Sequence, residues 1–125
     1  MSGTSTGLIL FAHGARDAAW AVPFEAVAAR VRAQRPQWHV ALAYLELMTP
    51  DLPHAAAMLL QAGCQRIHIV PMFLGSGGHV RRDLPALVQQ LRDQHTGVHW
   101  SLHAAIGEHS DVIEAMALAA LDGID

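Results

Sequence analysis

Four apolar stretches of the chain alternate with four segments in which apolar residues recur every three or four positions. The first stretch, Gly7–Ala12, is continuously apolar, as expected for a strand covered on both faces of a parallel sheet. The others are Val40–Leu45, Arg66–Val70 and a stretch near Val98–Leu102. Strands alternating with helices imply right-handed crossovers. The pattern therefore predicts an α/β fold: a four-stranded parallel sheet with helices on both faces.

Each helical segment has one apolar stripe and a recognisable end. Pro36 ends the first helix, Thr49-Pro50 is predicted to begin the second as an N-cap followed by proline, and Gly63 is typical of its C-cap. Pro85 fits the third helix only if it lies in the first turn. The fourth helix is predicted over Ser110–Leu121. The first three stripes are Trp20, Phe24, Val27, Ala28 and Val31; Leu52, Ala56, Leu59 and Leu60; and Val80, Leu84, Leu87, Val88 and Leu91.

A polar residue follows each predicted strand: His13, Glu46, His79 and the pair Glu108-His109. The carboxyl ends of parallel strands share one edge of a sheet. In the flavodoxin-like strand order 2-1-3-4, strands one and three are neighbours and the winding reverses between them, which is where open α/β sheets bind ligands. We therefore expect His13 and His79 to face each other across a crevice, with Glu46 nearby.

The loop before His79 contains three glycines in four residues, Gly75-Ser76-Gly77-Gly78, and leaves room for a bulky group to approach the backbone. It lacks the Lys-[Ser/Thr] of a P-loop and does not match Gly-x-Gly-x-x-Gly, which disfavours a nucleotide site. An anion cradle at the following helix is an alternative. The histidine phosphatases are excluded because Ala12, and not arginine, precedes His13-Gly14.

The residues expected at this edge suit a particular chemistry. Two imidazoles and the Glu46 carboxylate are a plausible ligand set for a divalent first-row metal, and histidine can also move protons near neutral pH. Arg16, Arg81 and Arg82 flank the two histidines and suit carboxylate or phosphate groups on a ligand.

Composition narrows the class of protein. The length of 125 residues, with 52% hydrophobic and 15% charged residues, fits one globular domain spanning 1–125. The single cysteine, Cys64, excludes a disulfide framework and a cysteine-built zinc site, and fits a reducing compartment. No membrane-length apolar run or signal peptide is present, so we expect a cytoplasmic protein without a membrane partner. The net charge of −3 argues against nucleic-acid binding.

Several of these segments together resemble a known family. They are His13-Gly14, Tyr44-Leu45-Glu46-Leu47, Thr49-Pro50-Asp51 and, most specifically, the run from Val70 to Val80 with its Phe-Leu-Gly-Ser-Gly-Gly-His. Over about Gly7 to Glu114 the chain is similar to the small CbiX-type sirohydrochlorin chelatases. These enzymes insert cobalt or iron into a tetrapyrrole for cobalamin or sirohaem synthesis.

The resemblance implies a class II chelatase-like fold in its single-lobe form. Larger relatives carry two lobes in one chain, and short ones pair as homodimers around the active-site cleft. It implies metal handling by His13 and His79, with Glu46 as an acidic residue of the same cleft. The family usually has serine where this chain has Ala15, so one hydroxyl that could orient His13 or the ligand is missing.

The resulting hypothesis is a chelatase that inserts Co²⁺ or Fe²⁺, with Ni²⁺ as a further candidate, into sirohydrochlorin and needs no organic cofactor. His13, His79 and Glu46 are the expected catalytic residues, and the two histidines are also the metal ligands. The expected substrate contacts are Arg16, Gly75, Ser76, Gly77, Gly78 and Arg81. The alternative is a non-catalytic carrier of metal or tetrapyrrole with the same fold and histidines. An anion-binding module is a third interpretation.

Overall fold

The computed structural model describes residues 5–75 and 77–124, with His79 described by its backbone alone. Within these residues four parallel strands form one sheet in the order β2-β1-β3-β4. The predicted α/β fold and strand order are therefore confirmed. The strands are β1 (Thr6–Ala12), β2 (His39–Tyr44), β3 (Arg66–Pro71) and β4 (His99–Leu102).

The helices alternate with the strands as the apolar pattern predicts. Short 3-10 turns at Ala18–Ala21 and Ile106–Glu108 precede the first and last of them. Among the described residues, no helix combines the length and apolarity required to span a bilayer. The helices are α1 (Val22–Gln34), α2 (Leu52–Gln61), α3 (Gly78–Gln94) and α4 (Ser110–Leu121).

Different helices cover the two faces of the sheet. On one face Ile9 and Ile67 are fully buried and belong to a core that includes Leu52 of α2 and Val88 of α3. On the other face Leu10 packs against α1. Because successive side chains of a strand point to opposite faces, both sets of β1 residues must be apolar, which explains its uninterrupted hydrophobic run.

The last helix, α4, does not join either layer. None of its residues is buried, and it packs against the Ile106–Glu108 turn and not along a strand. Ile113, Leu118 and Leu121 are 52%, 61% and 65% exposed. An apolar helix usually buries at least one face, so α4 is an exception within this fold.

The start of α2 differs from the prediction. The N-cap is Asp51 and not Thr49: the Asp51 carboxylate accepts a hydrogen bond from the His54 backbone N–H at 3.0 Å. The Thr49-Pro50 peptide is cis and lies in the loop before the helix. The proline in the first turn is Pro53. The N-cap therefore lies two residues later than predicted, and the proline of the first turn lies three residues later.

The prediction that Pro85 lies in a first turn is also wrong. Helix α3 begins at Gly78, so His79 lies within its first turn and Pro85 lies in its interior. Proline there removes one backbone hydrogen bond and strains the preceding turn. The neighbouring residues Leu84 and Val88 are buried at 6% and 0% exposure, and their packing holds both halves of α3 against the core.

We expect Asp51→Ala to lower the free energy of unfolding by ~1 kcal/mol at pH 7, the usual effect of losing an N-cap. The hydrogen bonds from His54 hold the pKa of Asp51 below its ordinary 3.8. A group with a lowered folded-state pKa stabilises fully above its unfolded value and loses the effect as pH falls through the folded value. The deficit of the variant should therefore shrink below about pH 4.

Urea unfolding across pH 2.5–7 tests this expectation. Glu114→Ala, which removes an exposed carboxylate from α4, is the matched control and should change the free energy of unfolding little at any pH. An Asp51→Ala deficit that is independent of pH would contradict a role for the ionised cap.

Candidate active site

Backbone pairing between β1 and β2 continues past the end of both strands. The Leu45 N–H donates to the Ala12 carbonyl at 2.9 Å, and the Glu46 N–H donates to the His13 carbonyl at 3.1 Å. These bonds place the residues that follow the two strands side by side. The His13 Nε2 and Glu46 Oε1 atoms are 3.5 Å apart, so the structure brings two of the three predicted catalytic residues together.

Gly14 makes this approach possible. Its φ is +98°, a conformation that side chains other than glycine rarely adopt. A Cβ atom at this position would collide with the carbonyl oxygen of Glu46. Glycine is therefore required at position 14 for two reasons: its left-handed backbone conformation and the close approach of the Glu46 carbonyl oxygen.

An aromatic residue supports His13 from the opposite side. The Met72 N–H donates to the Phe11 carbonyl at 2.7 Å, which extends the β1–β3 pairing and places Phe73 beside His13. The two ring centroids are 6.0 Å apart at an interplanar angle of 66°, an edge-on arrangement. The His13 side chain is 52% exposed and that of Glu46 is 56% exposed, so both remain accessible to a ligand.

These residues form one wall of a cavity of about 590 Å³ at the carboxyl edge of the sheet. This volume lies in the range typical of small-molecule sites, ~300–1,000 Å³. The wall is mainly apolar, with His13, Glu46 and Asp83 as its ionisable side chains. The lining residues are Phe11, His13, Leu45, Glu46, Phe73, Gly75, Gly77, Val80, Asp83, Leu84 and Leu87.

The glycine loop and the start of α3 also line this cavity. Gly75 and Gly77 line the cavity, and Gly78 begins the helix. The His79 backbone lies in the first turn, between the lining residues Gly77 and Val80. The predicted approach of the His79 side chain to His13, and the predicted contact from Ser76, lie outside the described residues.

The predicted arginines are less central. Arg16 is exposed after β1, and Arg82 is exposed on α3. Arg81 lines a separate cavity of about 170 Å³ together with His103 and Glu108, next to the main one along α3. None of the three lines the main cavity, so a ligand would reach them only by extending beyond its rim.

Seven of the eleven lining residues were absent from the predicted site, and two of them, Phe73 and Asp83, bear on its chemistry. Phe73 is the second residue after the strand that leads into the glycine loop, and Asp83 lies four residues after His79, one turn further along α3. That spacing is a signal that could have identified Asp83. Phe73 carried no such signal, because an apolar residue next to a strand is indistinguishable in sequence from ordinary core.

The arrangement suits short-lived metal binding and proton transfer. Among residues with described side chains, no group of three His, Cys, Asp or Glu is placed to hold a metal ion. His13 and Glu46 supply one imidazole nitrogen and one carboxylate, donors that suit divalent first-row metals. At 3.5 Å the His13–Glu46 pair is too long for a strong hydrogen bond, so both groups remain available to a ligand.

The fold and this site together define a class: an open parallel α/β protein with its ligand cleft outside the carboxyl ends of the strands, at the winding reversal between β1 and β3. The CbiX family model matches residues 7–120. The chain therefore belongs to the CbiX family.

Named relatives of similar sequence are metal chelatases. The chain is 31% identical over 88 residues to the sirohydrochlorin cobaltochelatase of Methanocaldococcus jannaschii, covering 70% of this chain and 62% of that protein. It is 25% identical over 114 residues to the chloroplastic sirohydrochlorin ferrochelatase of Arabidopsis thaliana, covering 91% of this chain and 51% of the relative. The chain thus spans about half to three fifths of these relatives' lengths.

Solved structures share the fold. The CbiX protein of Marinobacter aquaeolei VT8 superposes with a TM-score of 0.80 at 32% identity, covering 92% of this chain and 93% of that one. The sirohydrochlorin chelatase SirB of Bacillus subtilis subspecies spizizenii, solved in complex with cobalt, gives 0.81 at 19% identity. In that comparison 95% of this chain corresponds to 51% of SirB, a likeness of fold alone.

We expect Gly14→Ala to destabilise the protein by at least ~1–3 kcal/mol, because alanine would be forced into a left-handed backbone against the Glu46 carbonyl. Relief of that clash must separate the His13 and Glu46 backbones, so Co²⁺ affinity should fall as well. Urea unfolding and a Co²⁺ titration monitored by absorbance measure the two effects.

Gly75→Ala is the matched control from the same cavity, since its Cβ would meet nothing within 4 Å and its φ is not left-handed. It should unfold at nearly the wild-type urea concentration. Equal stability of the two variants would refute the proposed role of Gly14.

Proposed function

We propose that this chain inserts Co²⁺ or Fe²⁺ into sirohydrochlorin, with Ni²⁺ as a further candidate metal. The observation that carries the proposal is the His13–Glu46 pair, 3.5 Å apart on the wall of the main cavity, in a member of the CbiX family. Relatives of this family include proteins named for cobalt and for iron chelation of sirohydrochlorin, so both metals are retained.

The reaction exchanges one divalent metal ion for two pyrrole protons, with no change of oxidation state. It therefore needs a proton acceptor beside the metal and requires no organic cofactor. Once the ion has passed to the macrocycle, the freed nitrogen of His13 can accept one displaced proton, and the Glu46 carboxylate 3.5 Å away can accept the other. Both side chains are more than half exposed and can release these protons to solvent.

Metal delivery favours a small number of protein ligands. We assign His13 and His79 as the metal-binding residues and Glu46 as the acid that assists them. A closed four-ligand cage would hold the ion, whereas an open site leaves coordination positions for the tetrapyrrole nitrogens. The position of the His79 backbone in the first turn of α3, between the cavity-lining residues Gly77 and Val80, supports this assignment.

The substrate is a polycarboxylated macrocycle, and we assign its peripheral contacts to the rim of the cavity. Gly75, Gly77 and Gly78 offer backbone groups near the N-terminal end of α3, where the helix dipole favours anionic groups. We assign Ser76, which lies between them in the sequence, to the same contact. Arg16 and Arg81 are assigned to substrate carboxylates further out.

A second copy completes the cleft in this proposal. The chain acts as one chelatase-like domain spanning 1–125, and its catalytic pair is more than half exposed along one open wall. Relatives of about twice this length contain room for a second such wall in one chain. We infer a homodimer that faces the macrocycle from both sides. We also place the activity in the cytoplasm, in keeping with the free thiol of Cys64.

We expect His13→Ala and His79→Ala each to lower the rate of metal insertion by ~100-fold or more, the usual contribution of a positioned proton acceptor or metal donor. Glu46→Gln should lower the rate less, because the amide keeps the shape of the side chain and removes only one of the two proton-accepting groups. Absorbance of sirohydrochlorin under anaerobic conditions, with Co²⁺ or Fe²⁺, measures the rate.

His39→Ala is the matched control, an exposed histidine at the start of β2 and therefore at the opposite edge of the sheet. It should keep the wild-type rate. Full activity of both His13→Ala and His79→Ala would end the assignment. Stoichiometric metal or tetrapyrrole binding without turnover in the wild type would instead identify a carrier.

Replacement of the two arginines outside the main cavity should affect KM for the substrate and leave kcat nearly unchanged. We expect Arg16→Ala and Arg81→Ala to raise KM for sirohydrochlorin several-fold, since each loses a charge-assisted contact to a carboxylate. Their kcat should change little, because neither lines the main cavity. Arg32→Ala, which alters an exposed arginine on α1, is the control. A fall in kcat with unchanged KM would contradict the assignment.

A further inference from the structure

The loop that follows β2 contains a strained backbone conformation. Of the residues that the structure describes, Leu47 is the only one other than glycine with a positive φ, at +67°. A residue with a Cβ atom rarely adopts this conformation, and leucine lacks the short polar side chain that lets asparagine and aspartate tolerate it. Such outliers persist only where the surrounding structure holds them, and they cluster at functional sites. Leu47 directly follows the candidate catalytic residue Glu46.

Hydrogen bonding identifies the conformation as a γ-turn. The Met48 N–H donates to the Glu46 carbonyl at 2.8 Å. A hydrogen bond between residues two positions apart closes a γ-turn, and a positive φ at the central residue marks the rarer and more strained of its two forms. The chain therefore reverses its direction immediately after Glu46.

Contacts on both sides of the turn force this reversal. Before it, the Glu46 N–H donates to the His13 carbonyl at 3.1 Å, which ties Glu46 to the extension of β1. After it, Met48 packs against a separate core cluster that contains Tyr44. Leu47 is the one residue between these two anchored positions, so it absorbs the whole change of direction.

Side-chain packing does not account for leucine at position 47. Within the part of the chain that the structure describes, the Leu47 side chain is 57% exposed and lines neither the main cavity nor a neighbouring cavity of about 460 Å³. Leu45 and Glu46 line both cavities, and Met48 lines the second. Glycine would adopt the same φ without a steric penalty, so leucine here lowers the stability of the fold.

Leucine and glycine differ in the stiffness that they give to such a turn. A Cβ atom restricts a left-handed residue to a small region of φ and ψ, whereas glycine moves widely through that half of the map. Once its neighbours have forced Leu47 into this region, its backbone has little freedom to move. The turn holds the Glu46 carbonyl, which also lies against Gly14. The direction in which the Glu46 side chain leaves the backbone is thereby fixed.

We propose that Leu47 is a positioning residue, and that its strained turn holds the Glu46 carboxylate 3.5 Å from His13 Nε2. The Glu46 side chain is 56% exposed, so its surroundings restrain it little and its backbone determines where the carboxylate lies. The positioning role rests on the proposed function, which assigns this pair to accept the displaced protons. Folding stability is lost at Leu47, and a defined catalytic geometry is gained.

Leu47→Gly tests the strain, and Leu47→Ala is its matched control, because the two variants differ by one Cβ atom. Both lose the exposed apolar side chain, but alanine keeps the restricted backbone. Leu47→Gly should unfold at a higher urea concentration than Leu47→Ala, since the strain that glycine relieves exceeds the entropy that it adds to the unfolded chain. Circular dichroism checks that both variants are folded.

The two variants should rank in the opposite order as catalysts. Leu47→Gly should lower kcat for metal insertion several-fold, up to the loss caused by Glu46→Gln, whereas Leu47→Ala should keep the wild-type kcat. KM for sirohydrochlorin should be unchanged in both, because Leu47 does not line the main cavity. In a Glu46→Gln background, Leu47→Gly should cause no further loss of kcat, because the carboxylate that Leu47 positions is already absent.

Four results would overturn the positioning role. They are an unchanged kcat in Leu47→Gly, a joint loss of its stability and activity, an equal loss of kcat in Leu47→Ala, and the same fold-loss with and without Glu46→Gln. The third would assign the effect to the leucine side chain, and the fourth would mean that the turn does not act through Glu46.

Failure of the chelatase assignment would be seen separately, as a wild type that inserts no metal. The positioning role is then measured by Co²⁺ titration, monitored by absorbance. Leu47→Gly should weaken Co²⁺ binding several-fold and Leu47→Ala should preserve it, because only glycine frees Glu46 from its place beside His13. Equal Co²⁺ affinities of the two variants would contradict the role of Leu47 whatever reaction the protein catalyses.

Discussion

The candidate site depends on backbone hydrogen bonding between β1 and β2 that does not stop where the strands stop. Two bonds beyond the strand ends, at Leu45 and Glu46, keep the chains paired long enough to bring His13 and Glu46 together. Only glycine after His13 tolerates that pairing, because its backbone is left-handed and touches the Glu46 carbonyl. The imidazole–carboxylate pair is therefore held by main-chain geometry, and the two side chains remain half exposed for a ligand.

Half exposure also explains the chemistry that such a site favours. A buried and fully satisfied pair would be a structural ion pair, and a compact set of three or four ligands would retain a metal. His13 and Glu46 instead lie 3.5 Å apart beside the ring of Phe73, with apolar residues around them. An apolar wall suits the flat face of a macrocycle, and a pair with spare coordination positions suits transfer of an ion and acceptance of its displaced protons.

Much of this architecture could be predicted from the sequence, because the apolar periodicity of β1 and of the first three helices reflects which faces are buried. The alternation of strands and helices implied a parallel sheet, and the parallel sheet put His13 and Glu46 at one edge. The order 2-1-3-4 was the flavodoxin-like choice, which the structure confirms. Local choices were harder to predict. Asp51 competes with the nearby Thr49-Pro50 as a cap, and Pro85 is tolerated in α3 because packing of its neighbours outweighs its local preference. Sequence spacing alone shows neither which residue caps α2 nor that packing around Pro85 is strong enough to keep α3 continuous.

The position of α4 could not be predicted from the sequence. A stripe of apolar residues indicates that a helix packs against something, but it does not identify the surface that covers it. Helix α4 follows the Ile106–Glu108 turn, which a hydrogen bond from the Gly107 N–H ties to the Phe73 carbonyl, and none of the α4 residues is buried. In the proposed homodimer, assembly of the cleft depends on protein concentration, and a ligand that binds across both copies stabilises the pair by mass action.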